Sequence, residues 1–198
     1  QLGSGELPTP LAAAQMLYDL YAIAPGMQYE GQWQFSQFIP AEAAKWFAYL
    51  NDAEDFYQKG PAFQGQDITY RMAQVLVDDF FNSIKQLQGN ASPLAAKLRF
   101  SHAEVVIPFV TLLQLPGSNQ AVTTEQPYRY DNNPWRGETI APMAANIQWD
   151  VYRDAHQHYL VKMLYNERET RFKADCQPMK ADSFYYAFSE LQRCYHQQ

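Results

Sequence analysis

Residues 97–115 have the sequence KLRFSHAEVVIPFVTLLQL, in which a short alternating segment runs directly into a long apolar one. Polar and apolar side chains alternate over Lys97–Ser101, the pattern of a half-buried strand. The apolar run Val105–Leu115 is longer than a typical strand and favours a helix. His102 and Glu104 lie at the junction. The sequence therefore predicts a strand, a sharp turn and a helix, with a polar pair between strand and helix.

This junction is a candidate anion site. Open α/β sheets bind ligands at the carboxyl ends of strands, beside helix N-termini whose free amide groups and dipole attract anions. His102 could contact a phosphate oxygen. Glu104 lies two residues further on the same face of an extended segment and could protonate a leaving oxygen. The residue types fit equally well with a polar boundary between sheet and solvent.

The first 90 residues favour helices only. A helical period covers residues 11–22, a second helix follows Pro40 and ends at Gly60-Pro61, and a third runs from about Thr69 to Gly89-Asn90. The positions expected to face the core are Leu11, Met16, Leu17, Leu20 and Tyr21 in the first helix, and Met72, Val75, Leu76, Phe80 and Ile84 in the third.

The second half of the chain favours strands and one last helix. After a polar loop at 117–136, strands are predicted at 147–152 and 159–165, with a continuation of the sheet at 170–173. Asp182 resembles the N-cap of a helix that carries Phe184, Phe188 and Leu191. We therefore predict an α/β fold.

Composition excludes several classes of protein. The chain has 198 residues, 15 Lys and Arg and 21 Asp and Glu, so its net charge is −6, which argues against a nucleic-acid partner. A hydrophobic fraction of 47% excludes intrinsic disorder as the main description. No apolar stretch approaches the roughly 20 residues that span a bilayer, so no membrane partner is predicted.

The two cysteines, Cys176 and Cys194, leave two interpretations open. They are 18 residues apart and fit either a disulfide that fixes the C-terminal helix of an exported protein, or two unrelated buried thiols. The N-terminal sequence Gln1-Leu2-Gly3-Ser4-Gly5 has neither an initiator Met nor an apolar signal core. We expect it to be a processed or truncated beginning.

The remaining candidate groups carry weaker signals. His156 and His158 form an H-x-H pair without a third ligand in view, so a surface loop is favoured over a metal site. Lys59 and Arg71 flank the polar loop 64–67, either as cations facing a cleft or as solvated surface charges. The sequence contains no Gly-rich phosphate loop, C-x-x-C, G-x-S-x-G or H-E-x-x-H motif. No metal or other cofactor is predicted.

Four blocks of the sequence resemble one family. The sequence is similar to the C-terminal half of the multiple inositol polyphosphate phosphatases, the H-A-E branch of the histidine acid phosphatases that includes phytases. The blocks are Tyr49–Asp52 with Tyr57–Gly60, Leu98–Glu104, Ile140–Asn146 and Val161–Glu167. They occur in the family's order, and the resemblance extends from about residue 10 to the last helix.

The resemblance implies a fold and a set of roles. It implies a histidine-phosphatase α/β sandwich with an all-helical cap, in which residues 1–93 form the cap and residues 94–198 the C-terminal part of the catalytic domain. His102 would help to hold the transferred phosphate, and Glu104 would protonate the leaving alcohol. Lys59 and Arg71 would contact other phosphates of a phosphorylated inositol. The protein would be secreted or periplasmic and active in acid.

One motif of the family is absent from this sequence. The nucleophile of the family lies in an R-H-G-x-R-x-P segment, and none of His102, His156, His158 and His196 follows Arg and precedes Gly. The chain cannot by itself form the phosphohistidine intermediate. The resemblance therefore implies a partner, the N-terminal segment of the same enzyme, whose strand lies beside the strand ending at His102. We expect the chain to be stable only with that segment bound. The alternative is a non-catalytic binding or interaction module that keeps the fold.

Overall fold

A computed structural model of the chain describes residues 9–31, 33–88 and 94–197. These ranges contain six helices and four strands, α1 Pro10–Ile23, α2 Ala41–Gln58, α3 Gln74–Gln88, α4 Ala103–Leu112, α5 Gly137–Ile140, α6 Phe188–Cys194, β1 Ile147–Arg153, β2 Tyr159–Tyr165, β3 Arg168–Thr170 and β4 Tyr185–Ala187. None of these helices is long and apolar enough to cross a membrane. The chain divides into two compact units, one ending at Ala53 and one beginning at Glu54. A domain boundary between residues 93 and 94 stays a prediction.

The first unit is built on α1 and most of α2. Thr9 caps α1 by accepting a hydrogen bond from the amide of Ala12 at 3.3 Å. Tyr18 is buried and its ring stacks on Phe47 at 5.5 Å, with Leu17 and Tyr21 partly buried around it. The expected inward orientation of Leu11, Met16 and Leu20 is wrong, because these side chains are exposed. Helix α1 is apolar on most of its surface, so its periodicity does not single out one face.

The third predicted helix is present, but a different face is buried. A short 3-10 turn, Arg71–Ala73, precedes α3, and α3 is described to Gln88, so the stop predicted at Gly89-Asn90 lies outside the described residues. Helix α3 has two sets of apolar residues at helical spacing. The set that faces the core consists of Val77, Phe81 and Ile84. The burial predicted for Met72 and Val75 is wrong, since both are exposed, whereas Ile84 is buried as predicted and Leu76 and Phe80 are partly buried.

The strand predicted over Lys97–Ser101 is not formed in the described part of the chain. None of the backbone groups from Leu98 to Ser101 pairs with another backbone group there, and a strand exists only through such pairing. The segment is nevertheless held in place. Asp79 of α3 pairs with Lys97 Nζ at 2.6 Å and with Arg99 Nη2 at 2.5 Å. The apolar alternates Leu98 and Phe100 are 75% and 92% exposed.

The sheet of the second unit is antiparallel throughout the described residues. Its path is β1-β2-β3, β4 also pairs with β2, and Trp149 lies opposite Met163. Strands β1 and β2 confirm the predicted strands. The continuation predicted at 170–173 is wrong beyond Thr170, where β3 ends. Asp182 is not an N-cap, because Tyr185–Ala187 pairs with β2 and α6 starts only at Phe188.

Aromatic side chains fill the core of the second unit. Phe56 stacks on Tyr128 at 4.4 Å, and Phe81 contacts Trp149 at 5.4 Å and Phe188 at 5.7 Å. Phe81 on α3 therefore joins the helical layer to β1 and α6. The described elements form a mixed structure of helices and sheet, as the sequence predicts.

Cys176 and Cys194 form a disulfide, so the pairing expected in the first of the two interpretations is confirmed. Both residues are buried, at 4% and 0% exposure. The bond joins the loop between β3 and β4 to the end of α6. In the unfolded chain the bond closes the loop between the two cysteines and so lowers the conformational entropy of the unfolded state.

Replacing Cys176 and Cys194 together by Ser is expected to lower the free energy of unfolding by about 3 kcal/mol, since this is the chain-entropy estimate for a loop of this length. Urea titration of the oxidised protein and of the variant measures the difference. Adding reductant to the oxidised protein should shift its urea midpoint towards that of the variant. An unchanged midpoint after confirmed reduction would contradict the prediction.

Candidate active site

His102 and Glu104 lie together at the N-terminus of α4. The backbone of His102 is extended, with φ −140°, and its carbonyl oxygen accepts the amides of Val105 at 3.0 Å and Val106 at 3.2 Å. The His102 side chain makes no capping hydrogen bond to the amides of α4. Its Nδ1 instead donates a hydrogen bond to Oε2 of Glu104. The side chains are 72% and 55% exposed. Glu104 thus faces solvent rather than the apolar interior.

Lys59 brings a cation to this pair from the end of α2. Its Nζ lies 3.8 Å from Oε1 of Glu104 and 2.7 Å from Oδ1 of Asp55. The carbonyl oxygen of Asp55 accepts the amides of Lys59 and Gly60, both at 2.9 Å, which ends the helix at this point. A Cβ at Gly60 would lie 2.9 Å from the carbonyl oxygen of Phe56, so the close turn after Lys59 requires glycine.

The charges of the cluster act on one another. The hydrogen bond from His102 is the main cause that lowers the pKa of Glu104 below its usual value, and the nearby Lys59 charge acts in the same direction. Partial burial acts to lower the pKa of Lys59, but the hydrogen bond to Asp55 and the charges of Asp55, Glu104 and Glu54 together raise it. The free site therefore contains an ionised carboxylate whose cationic partners could be drawn away by a bound anion.

Arg71 is not part of the same cluster. Its Nη2 lies 3.4 Å from Oδ1 of Asp67, and the side chain is 61% exposed. The 3-10 turn that starts at Arg71 packs against α4, the helix that carries Glu104. The structure thus brings three of the four predicted site residues together and places the fourth on an adjacent turn.

The H-x-H pair has a different environment. His158 Nδ1 hydrogen-bonds to Oδ2 of Asp154 at 2.9 Å, and Asp154 also accepts the amide of His156. Within 9–31, 33–88 and 94–197, no three His, Cys, Asp or Glu side chains are grouped as a metal site requires. The geometry fits the interpretation of a surface loop.

Two acidic residues of this region were not predicted from the sequence. Asp55 contacts Lys59, and the i,i+4 spacing of an acid and a lysine on one predicted helix could have indicated that pair. Asp79 anchors Lys97 and Arg99, and the Arg99 guanidinium lies 4.2 Å from the centre of the Phe80 ring. No local pattern indicates contacts between residues about 20 positions apart.

A groove of about 1030 Å³ is lined in part by residues that are close in sequence to His102 and Glu104. It is lined by the extended segment 94–101, by α3 and α4, and by β1. Strand β1 pairs only with β2 among the described strands, so its other edge is open. The Nε1 atom of Trp149 is buried without a hydrogen-bond partner in the described structure. The groove is therefore bordered by two backbone segments that have unused hydrogen-bonding capacity.

The sequence and the structure of the chain are similar to those of one family of known proteins. The sequence profile of the histidine phosphatase superfamily (branch 2) matches residues 14–166. The chain is similar to the Bifidobacterium longum multiple inositol polyphosphate phosphatase in its complex with inositol hexasulfate, at 46% identity and a TM-score of 0.85, over 92% of this chain and 38% of that one. The complex of that phosphatase with phosphate matches at 42% identity and a TM-score of 0.85, over 96% and 42% of the two chains.

A comparison with curated proteins found no match. The chain spans about two fifths of the length of the phosphatase chains that it matches. The profile covers most of the chain, and it includes Lys59, Arg71, His102 and Glu104. The chain belongs to the histidine phosphatase superfamily, branch 2.

Proposed function

We propose that the chain is the C-terminal, acid-supplying part of an acid phosphatase that hydrolyses phosphomonoesters of inositol polyphosphates. One observation carries the proposal. The carboxylate of Glu104 stands at a helix N-terminus, hydrogen-bonded to His102 and 3.8 Å from Lys59. Imidazole, ammonium and helix dipole attract a phosphate, and the carboxyl group beside them is positioned to give it a proton.

The reaction proceeds in two displacements. A histidine of the R-H-G segment attacks phosphorus, the bond from phosphorus to the alcohol oxygen breaks, and Glu104 transfers its proton to that oxygen. The oxygen of a water molecule then attacks the phosphorus of the phosphohistidine, the phosphorus–nitrogen bond breaks, and one proton of the water passes to the Glu104 carboxylate. Phosphate and the free histidine are released. His102 binds the oxygens of the transferred phosphate in both steps.

Substrate binding prepares Glu104 for this role. The transferred phosphate draws His102 onto its own oxygens, another phosphate of the substrate draws Lys59 away from Glu104, and both phosphates add negative charge beside the carboxyl group. These changes raise the pKa of Glu104 from its lowered value in the free site. By linkage, phosphate then binds more tightly at lower pH, where Glu104 is protonated.

The inositol polyphosphate substrate is supported by two kinds of observation. The similar Bifidobacterium enzyme was crystallised with inositol hexasulfate. In this chain, Lys59 and Arg71 lie on the two sides of the loop 64–67, where they would contact phosphates other than the one being removed. Because the whole chain has a net charge of −6, the positive charge that binds the anionic substrate must be confined to the region of Lys59 and Arg71. On the same resemblance, residues 1–93 are proposed as the helical cap.

The groove along 94–101 is proposed as the place where the N-terminal segment that carries the nucleophilic histidine binds. The chain covers only 38% to 42% of its relatives, so these contain more chain than is present here. Both open backbone segments bordering the groove could pair with a strand. Leu98 and Phe100 are exposed apolar side chains that such a strand would cover. The segment would thereby stabilise the chain.

A secreted or periplasmic location is proposed on the disulfide. Disulfides persist in oxidising compartments and are rare in the cytosol.

The alternative is a non-catalytic binding module, which the absence of an R-H-G histidine from this sequence favours. Intact mass under denaturing conditions discriminates between the two. A second polypeptide that contains R-H-G and co-purifies with the chain supports the enzyme, and its absence favours the binding module.

Replacing Lys59 with Met tests the substrate proposal in the enzyme assembled from both parts. We expect the KM for inositol hexakisphosphate to rise about 10-fold or more, because one charge-assisted phosphate contact is lost. The KM for a simple monophosphate such as phenyl phosphate should rise less, because phenyl phosphate has no additional phosphate for Lys59 to contact. Phosphate release measures both values.

Lys45→Met is the matched control, because Lys45 is an exposed lysine of α2 that pairs with Glu42. Equal increases for both substrates would assign Lys59 to the transferred phosphate only. If neither substrate is hydrolysed by the assembled wild-type enzyme, the proposed function is wrong.

A further inference from the structure

Two carboxylates compete for the ammonium of Lys59. The Oδ1 atom of Asp55 lies 2.7 Å from Nζ, and the Oε1 atom of Glu104 lies 3.8 Å from it. The nearer pair is also shielded from water, since Asp55 and Lys59 are 29% and 26% exposed, against 86% and 72% for the surface pair Glu42 and Lys45. The attraction between two charges that are partly removed from water is less screened than the attraction between two exposed charges.

The backbone fixes Asp55 in this position. Asp55 lies in the last turn of α2, and its carbonyl oxygen accepts the amides of both residues that follow the helix. Its side chain meets Lys59 at the i,i+4 spacing of neighbouring helical positions. Lys59, in contrast, has four rotatable side-chain bonds and would reach another carboxylate if Asp55 released it.

We propose that Asp55 is a positioning residue that holds the Lys59 ammonium at the phosphate site and prevents it from closing onto Glu104. The proposal rests on the proposed function of the Glu104 site. Without Asp55, Lys59 would pair directly with Glu104, hold it in the ionised form and be less available to the substrate. Asp55 therefore acts on the reaction through Lys59 and touches neither the phosphate nor the leaving group.

The charged groups around Lys59 and Glu104 give the direction of the effect. Lys59 is faced by Asp55, Glu54 and Glu104, and Glu104 is faced by His102 and Lys59. Removing the charge of Asp55 takes a negative charge away from the site and frees Lys59 to approach Glu104. Both changes favour the ionised form of Glu104, so the proton donor is lost at a lower pH.

The test is the pH profile of kcat/KM for Asp55→Asn in the enzyme assembled from both parts. The alkaline limb should move by about half a pH unit or more towards lower pH, as expected for the loss of one charge at this range. Asp55→Glu should restore the limb at least in part. Glu54→Gln is the matched control, since Glu54 is the adjacent acid and pairs with Gln58 instead of Lys59. Its limb should move much less.

The proposal would be overturned if the alkaline limb of Asp55→Asn stayed at the wild-type pH, or if the limb of Glu54→Gln moved by the same amount. A merely structural role would lower stability without moving the limb. A second readout keeps this result separate from the proposed function. If the assembled enzyme shows no phosphatase activity, the titration of the Glu104 carboxyl carbon followed by NMR should still have a lower midpoint in Asp55→Asn than in wild type. An unchanged midpoint would reject the inference.

Discussion

Replacing Glu104 with Gln is expected to lower kcat for inositol hexakisphosphate by about 100- to 10,000-fold in the enzyme assembled with the R-H-G segment. This is the usual contribution of a general acid. The glutamine side chain would have nearly the same shape and could still accept a hydrogen bond from His102, but it has no acidic proton to transfer to the leaving alcohol. The substitution therefore removes the chemistry while it preserves the packing around α4. Initial rates of phosphate release measure the effect.

The nature of the leaving group makes this prediction specific. An inositol hydroxyl is a poor leaving group as an alkoxide, whereas nitrophenolate leaves readily without a proton. Glu104→Gln should therefore slow the hydrolysis of nitrophenyl phosphate far less than that of the inositol ester. A loss of equal size on both substrates would indicate that Glu104 binds phosphate or supports the fold, and would contradict its role as an acid.

Glu125→Gln is the matched control for this experiment. Glu125 is also exposed, and a hydrogen bond from Thr124 also lowers its pKa, but it lies on a separate loop. We expect wild-type rates on both substrates. A comparable loss in Glu125→Gln would show that the effect of the Glu104 substitution is not specific to the site.

Local patterns were sufficient to predict the elements whose formation depends on their own residues. Helix α2 has good helix formers between Pro40 and Gly60-Pro61, and β1 and β2 alternate in a register that buries Val161 and Met163. The helix start at His102 was predictable for the same reason, because the apolar run after it is too long for a typical strand and favours a helix.

Contacts between distant parts of the chain decide what local patterns did not reveal. Lys97–Ser101 has the pattern of a strand, but a strand needs a hydrogen-bonded neighbour, which the described structure does not supply. Asp79 holds this segment through Lys97 and Arg99 from 18 and 20 positions away. Likewise, both sets of apolar residues in α3 have helical spacing, and only the packing of Phe81 against Trp149 and Phe188 selects the buried set.

Replacing Phe100 with Asp is expected to weaken the binding of the R-H-G segment by at least about 1000-fold. The proposed strand would cover Phe100, so the substitution forfeits about 1.5–3 kcal/mol of apolar burial and places an unpaired carboxylate in the interface. A loss of about 4 kcal/mol corresponds to three orders of magnitude in Kd. Titrating the labelled segment into the chain measures the affinity, and phosphatase activity should be lost in parallel at fixed concentrations.

The position of Phe100 separates this effect from a failure to fold. Its side chain is 92% exposed in the described structure, so at a concentration of the segment that saturates the variant, Phe100→Asp should show the circular dichroism of the wild-type complex. Met179→Asp introduces the same charge at another exposed apolar side chain, one that does not belong to the groove lining, and should bind the segment as wild type does. If Phe100→Asp binds the segment with wild-type affinity, the groove is not where the segment binds, and the open edges of β1 and of 97–101 need another explanation.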